Sequence, residues 1–185
     1  VVHVICLQEG RHTLSSNVQV HSLGKEDGKG RLTYLVRFFK LIWSLRHEYD
    51  TVFVHMNQIY VILGAPFWRA LRKPVGLWYA HGTVSPSLKL ATYLTNFVFT
   101  STPEGFRIDT KKRVIVGQGI DTGLFAPVDK TPGETLRLVT VGRISTSKNI
   151  DTLLRACTLL KEKGIKFHLK IIGVATTESE RTYEE

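Results

Sequence analysis

LRLVTVGRISTSKNIDTLLRACTLLKEKG, Leu136 to Gly164, is the stretch whose reading decides the fold. Leu136, Leu138, Val139 and Val141 alternate and then run together, the pattern of a buried strand. The pattern breaks at Gly142-Arg143 and crosses polar Ser145, Thr146 and Ser147. It resumes at helical spacing, with Ile150, Leu153, Leu154, Cys157 and Leu160 forming one apolar stripe. Gly164 follows, where a left-handed residue would close the helix. Strand, loop and helix make the first part of a β-α-β unit, with two cations, Arg143 and Lys148, in the loop.

Open parallel sheets bind ligands beyond the carboxyl ends of their strands, and Gly142, Arg143 and Lys148 fall at such an end. A glycine there leaves room for a ligand to approach the backbone. A guanidinium can fork onto two phosphate oxygens, and an ammonium adds a compact charge. The competing reading is that both cations are solvated surface groups.

Upstream, strand and helix patterns alternate. Strands are expected at 1–7, 18–23, 51–55, 75–80, 97–100 and 113–116, and helices at 31–49, 59–71 and 86–96. Ser85-Pro86 reads as an N-cap with a first-turn proline, and Thr102-Pro103-Glu104 carries the same helix-start signature. Downstream, 166–172 reads as a strand, and the closing TTESERTYEE as a frayed polar tail. This alternation predicts a parallel sheet with helices on both faces. The helix from Arg31 is apolar over more than one face: Leu32, Leu35, Val36, Phe39, Ile42 and Trp43 form the expected packing stripe. Arg37, Lys40 and Arg46 raise the alternative of a basic amphipathic face lying on a membrane.

The 185 residues are 43% hydrophobic and 22% charged, ordinary for globular domains, and the formal net charge of +9 implies anionic partners. Cys6 and Cys157 lie in apolar patterns without pairing or metal spacing, which suits a reducing compartment. The longest uncharged apolar run, Ile59–Trp68, is about half of what a bilayer needs, and no secretory leader pattern opens the chain. G-x-G-x-x-G, Walker A, zinc-ligand spacing, a G-x-S-x-G elbow and RNA-binding aromatic patterns are all missing.

His81-Gly82-Thr83 ends a central strand, where binding and catalytic groups collect. Asn57 and Ser101 end strands on the same edge. Each could contact substrate, or serve only to shape a turn.

VTVGRISTSKNIDTLLRA resembles the opening of the nucleotide-sugar domain of GT-B glycosyltransferases, in particular the retaining group called glycosyltransferase family 4. That pattern is a strand ending in Gly-Arg, then a Lys, then a Leu-Leu-x-Ala helix, matched here by Gly142, Arg143, Lys148, Leu153, Leu154 and Ala156. VIVGQGIDTGLFAP, Val114–Pro127, is similar to the family's interdomain linker, with Gln118 in place of its Asn. WYAHGTVS resembles the strand whose His lines the sugar pocket.

The resemblance implies a GT-B-like α/β fold. Residues 1–117 would form a Rossmann-like acceptor-side domain lacking its first strand. Residues 118–134 would be the linker, and 135–185 the first β-α-β unit of the nucleotide-sugar domain. Gly142, Arg143 and Lys148 would hold the donor diphosphate, and His81 would act at the transferred sugar. Asn57, Gly82, Thr83 and Ser101 are further candidate substrate contacts. No metal and no cofactor are expected beyond the nucleotide-sugar substrate. The expected activity is retaining transfer of a hexosyl unit from a nucleotide-diphosphate sugar to a glycan or lipid-linked acceptor, as in cell-envelope polysaccharide synthesis. It would take place in the cytoplasm with peripheral contact at the inner face of the membrane, and with no nucleic-acid partner. The family's Glu-x7-Glu element has no counterpart, so the chain reads as incomplete at both ends and inactive alone. The alternative is a non-catalytic α/β module that binds a sugar nucleotide or nucleic acid.

Overall fold

The computed structural model describes residues 1–127 and 135–184. It forms two compact units, Val1–Asp121 and Thr122–Glu185. Residues 128–134 of the stretch read as a linker lie outside the described residues.

The first unit holds β1 (Val2–Cys6), β2 (Val18–Ser22), α1 (Arg31–Ser44), β3 (Val52–His55), α2 (Gln58–Ala70), β4 (Val75–Trp78), α3 (Pro86–Leu94), β5 (Phe97–Thr100) and β6 (Arg113–Ile115). β1 and β2 pair as one parallel ladder, and β3-β4-β5-β6 as another, also parallel throughout. β4 is the most buried strand because it lies inside the larger ladder: Val75 and Leu77 are fully enclosed. Between them Gly76 leaves a gap that Phe53 and Phe99 close from the neighbouring strands, their rings 5.9 Å apart. The core continues through Val61, Ala65 and Trp68 of α2 and Leu88 and Ala91 of α3. The Trp68 indole N–H is satisfied by the Tyr49 hydroxyl, which donates in turn to the Ile42 carbonyl. Burial pushes the Tyr49 phenol up from its ordinary pKa.

Ser85 caps α3 as its sequence predicts, accepting the Leu88 N–H at 3.1 Å. The other end of α3 is capped by a cation. The Lys112 ammonium donates to the carbonyls of Thr92, Tyr93 and Thr95, at 2.9, 2.8 and 2.6 Å. Burial, and then the nearby Arg69, lower the Lys112 pKa.

Two expectations for this unit are corrected. The helix from Arg31 ends at Ser44 and not at Tyr49. It buries Phe38 and Ile42, while Leu32, Val36 and Trp43 are more than half exposed. The helix has two apolar faces, and packing takes the one carrying Phe38. Thr102-Pro103-Glu104 starts no helix. The Thr102 carbonyl and hydroxyl both take the Gly105 N–H, and the carbonyl also takes the Thr100 hydroxyl, which closes a turn. Phe106, fully buried, then pulls the chain into the core.

The second unit contains β7 (Leu136–Val141), a 3-10 turn (Thr146–Lys148), α4 (Ile150–Glu162), β8 (Phe167–Ile172) and α5 (Glu178–Glu184). β7 and β8 pair in parallel over six residues each. Gly164, with φ 71°, closes α4 in the left-handed conformation. The tail read as frayed is a helix. Thr177-x-x-Glu180 is a capping box: the Glu180 N–H donates to the Thr177 hydroxyl, and the Glu180 carboxylate accepts the Thr177 N–H. The Tyr183 hydroxyl ties α5 to the start of α4, donating to Asp151 at 2.9 Å.

Beyond β7 and β8 the chains stay joined, with Gly142 N–H on the Ile172 carbonyl and Ile144 N–H on the Val174 carbonyl. A Cβ on Gly173 would lie 1.8 Å from the Gly142 carbonyl oxygen. Gly173→Ala must therefore move backbone, and it should destabilise this unit by about 1–3 kcal/mol, read as a fall in denaturant midpoint at unchanged slope.

Candidate functional site

Because β3, β4 and β5 pair in parallel and in register, their carboxyl ends form one edge. Asn57, His81 and Ser101 come shortly after those ends, with Met56 ahead of Asn57 and Tyr79 and Ala80 ahead of His81. Met56 joins the first two: its N–H donates to the Trp78 carbonyl, and its sulfur accepts the Ala80 N–H at 3.3 Å. The arrangement is made possible by a left-handed Met56, φ 59°.

His81 is exposed. Its backbone N–H donates to the Gly105 carbonyl at 2.8 Å, which fixes the loop against the 102–105 turn. Its Nδ1 accepts the Thr83 N–H at 3.2 Å. In the neutral ring this leaves the proton on Nε2, facing outward as a hydrogen-bond donor. The Thr83 carbonyl accepts the Tyr79 hydroxyl, so Thr83 braces the loop through its backbone.

Gly82 has a neighbour that the sequence did not suggest. A Cβ there would lie 3.2 Å from the Arg107 guanidinium carbon. Arg107 thus stands over the His81–Thr83 loop and adds a cation to it, held in place by buried Phe106. Nothing in EGFRIDT marks that arginine in advance, since its approach depends on the tertiary turn before it.

Asn57 is exposed and starts α2 without a side-chain cap. Ser101 is half-buried beside the Thr102 turn. The structure thus gathers His81, Gly82, Thr83 and Arg107, with Asn57 and Ser101 on the flanking strand ends.

In the second unit Gly142, Arg143 and Lys148 follow β7. Gly142 has φ 159°, and a Cβ there would meet the Lys148 Cε at 3.8 Å, so the lysine stem lies across the glycine. Lys148 is exposed and has no ion-pair partner among the described residues. Arg143 is anchored: its Nη1 donates to Glu180 Oε1 at 3.1 Å. The other carboxylate oxygen of Glu180 takes the Thr176 N–H at 2.8 Å, the Thr176 hydroxyl at 2.6 Å and the Thr177 N–H at 3.1 Å. The Thr176 hydroxyl and amide, and less strongly Arg143, hold the Glu180 carboxyl below the usual carboxylate range. The Tyr183 hydroxyl does the same for Asp151. Glu180 is the second group that sequence reading missed, though the T-x-x-E spacing could have found it.

Among the described residues no group of three His, Cys, Asp or Glu side chains could hold a metal ion. Among the described residues no helix is long and apolar enough to cross a membrane either.

The first unit's parallel ladders and the second unit's β-α-β are Rossmann-like, and the fold is of the GT-B type. No known family profile matches the chain. Over 69 residues it is 30% identical to the "Putative colanic acid biosynthesis glycosyltransferase WcaL" of Escherichia coli K12, covering 37% of this chain and 17% of that protein. Anabaena Alr3699/HepE, solved with UDP and glucose, superposes on 90% of this chain with a TM-score of 0.63 at 18% identity. The same protein solved with UDP gives 0.52 at 14% identity over 89% of this chain. The chain spans 50% of HepE in the first of these and 57% in the second. The resemblance to GT-B glycosyltransferases therefore holds for the fold and for one stretch of sequence.

Since Glu180 and Asp151 carry lowered pKa values when folded, each stabilises the folded unit at neutral pH. That contribution is lost as the pH falls through the folded-state value. The melting temperature should stay level from neutral pH down to the ordinary carboxylate range and drop below it. Glu180→Gln should melt lower at neutral pH and show a smaller acid drop in a pH series of thermal melts.

Proposed function

We propose that the full protein containing this chain is a retaining glycosyltransferase of the family 4 type. It would transfer a hexosyl unit from a nucleotide-diphosphate sugar to a glycan or lipid-linked acceptor. The observation that carries this reading is the loop after β7. Lys148 lies across Gly142, and Arg143 is steadied by a carboxylate that is itself fixed by three hydrogen bonds. Such a loop offers one preset guanidinium and one mobile ammonium to a diphosphate.

As the bond to the anomeric carbon breaks, negative charge grows on the departing diphosphate. Cations already in place stabilise that charge more in the transition state than in the ground state. The two cations supply the neutralisation, and no metal is invoked. The departing phosphate oxygen would accept the proton of the attacking hydroxyl on the same face. His81, through its outward Nε2–H, would donate to a sugar hydroxyl, and Arg107 would meet an anionic or polyhydroxyl group of a substrate.

The resemblance to WcaL supports an acceptor of cell-envelope polysaccharide type. A peripheral seat on acidic lipid at the cytoplasmic membrane face is supported by the outer face of α1. There Leu32, Val36 and Trp43 are exposed, and from the turn just past the helix the Arg46 guanidinium sits 4.4 Å from the Trp43 ring centre.

Calorimetry of the full-length protein with UDP- and GDP-sugars tests the reading. Arg143→Ala and Lys148→Ala should each weaken donor binding about tenfold, near 1.4 kcal/mol. His81→Ala should leave nucleotide affinity within about twofold and cut turnover roughly 100-fold. Unchanged binding in both cation variants would overturn the assignment. Tight binding with no turnover on any acceptor would favour the non-catalytic module.

A further inference from the structure

We infer that Arg107, lying on Gly82 next to His81, forms a subsite for an oxyanion carried by a sugar, a carboxylate or a phosphate, and so selects an acidic saccharide over a neutral one. The inference deepens the transferase reading and rests on it for the identity of the ligand as a substrate.

The base of Arg107 is held from both sides. Phe106 is fully buried, and Ile108 packs against the core. The Phe106 carbonyl accepts from the Arg113 guanidinium at 3.1 Å, and its ring meets Tyr79 edge-on with 6.2 Å between centres. Tyr79 in turn donates to the Thr83 carbonyl, and the His81 N–H reaches the Gly105 carbonyl. The segments 79–83 and 105–107 are thereby fixed to each other before any ligand arrives.

Gly82 supplies the floor. A Cβ there would stand 3.2 Å from Cζ and Nη2 of Arg107 and 3.3 Å from Nε. Three nearly equal distances put the guanidinium broadside to the glycine, so its N–H groups run along the loop and not into it. Gly82 is not in the left-handed conformation. Its missing side chain therefore serves space and not backbone geometry.

The charge is unspent. Arg107 is exposed, and no ion pair among the described residues includes it, although Glu104 and Asp109 lie within three positions in sequence. His81 turns a second donor outward, the Nε2–H, because its Nδ1 is taken by the Thr83 N–H. A guanidinium and a ring N–H offer donors only. An oxyanion offers acceptors only and gains charge-assisted bonds. A neutral hydroxyl gains weaker ones, and its own proton finds no acceptor on either group. The oxyanion belongs either to the transferred sugar or to the acceptor, and the two sources give different binding patterns.

Side-chain NMR of the full-length protein tests this, with UDP present to occupy the donor cations and the Arg107 Nε–H signal assigned from Arg107→Gln. The signal should shift on titration with glucuronate or glucose 6-phosphate and hold still with glucose. Arg107→Gln should weaken binding of these sugar acids about tenfold. Gly82→Ala should weaken it less, because its methyl displaces only the end of a flexible side chain. UDP affinity should stay within about twofold in both variants. An oxyanion on the transferred sugar makes UDP-glucuronate bind more tightly than UDP-glucose, a difference that Arg107→Gln removes. An oxyanion on the acceptor leaves the two alike, with the free sugar acid binding alongside UDP-glucose. Equal responses to glucose and glucuronate, or an anion response that survives Arg107→Gln, would sink the inference. The transferase reading fails on a different result, UDP binding untouched by Arg143→Ala and Lys148→Ala.

Discussion

In-register parallel pairing is the constraint on which the rest of the first unit depends. Val52 to His55 lie beside Val75 to Trp78, and the next strand pairs in step with those. Once the strands are matched this way, their carboxyl ends cannot fall anywhere but on one edge. The loops that begin there are brought together by the backbone before any side chain contributes. Met56 shows how tightly the edge is drawn: its main chain and its sulfur both bond to the neighbouring strand. His81 owes its position to this framework and its outward ring nitrogen to a single amide from Thr83.

The second unit reaches a similar precision by a different route. Two glycines cross at the ends of β7 and β8 so closely that a methyl group on one would collide with the carbonyl of the other. That crossing sets the path of the loop carrying Arg143. The Glu180 carboxylate then holds the guanidinium from the far side. A long, flexible side chain loses entropy when ordered, and this pairing meets part of that cost before any anion arrives. Lys148 has no such anchor among the described residues. Of the two cations, one is preset and one is free to follow its ligand.

The strand and helix alternation was legible because apolar spacing records which face each segment buries. The Gly142, Arg143 and Lys148 loop was legible because its residue types are unusual at a strand end. What escaped the reading depended on information outside the local window. The helix from Arg31 offers two apolar faces, and the choice of Phe38 over Trp43 was made by Trp68 and Tyr60, which pack against Phe38. Thr102-Pro103-Glu104 looks like a helix start until Gly105 and buried Phe106 close it as a turn. Arg107 carries no local sign of its role, because only folding brings it over Gly82. The capping box at Thr177 was readable and was passed over in favour of a polar tail.

The cap on α3 also changes what the chain's charge means. One ammonium, Lys112, is committed to three carbonyls. Arg143 answers to Glu180, and Lys73 lies 4.3 Å from the Tyr49 ring centre. These contacts leave the formal +9 intact, since carbonyls and a ring carry no net charge and Glu180 is already counted in it, but they fix where part of that charge sits. A distant anion feels the summed charge, and one close to the surface feels the places where these cations are held.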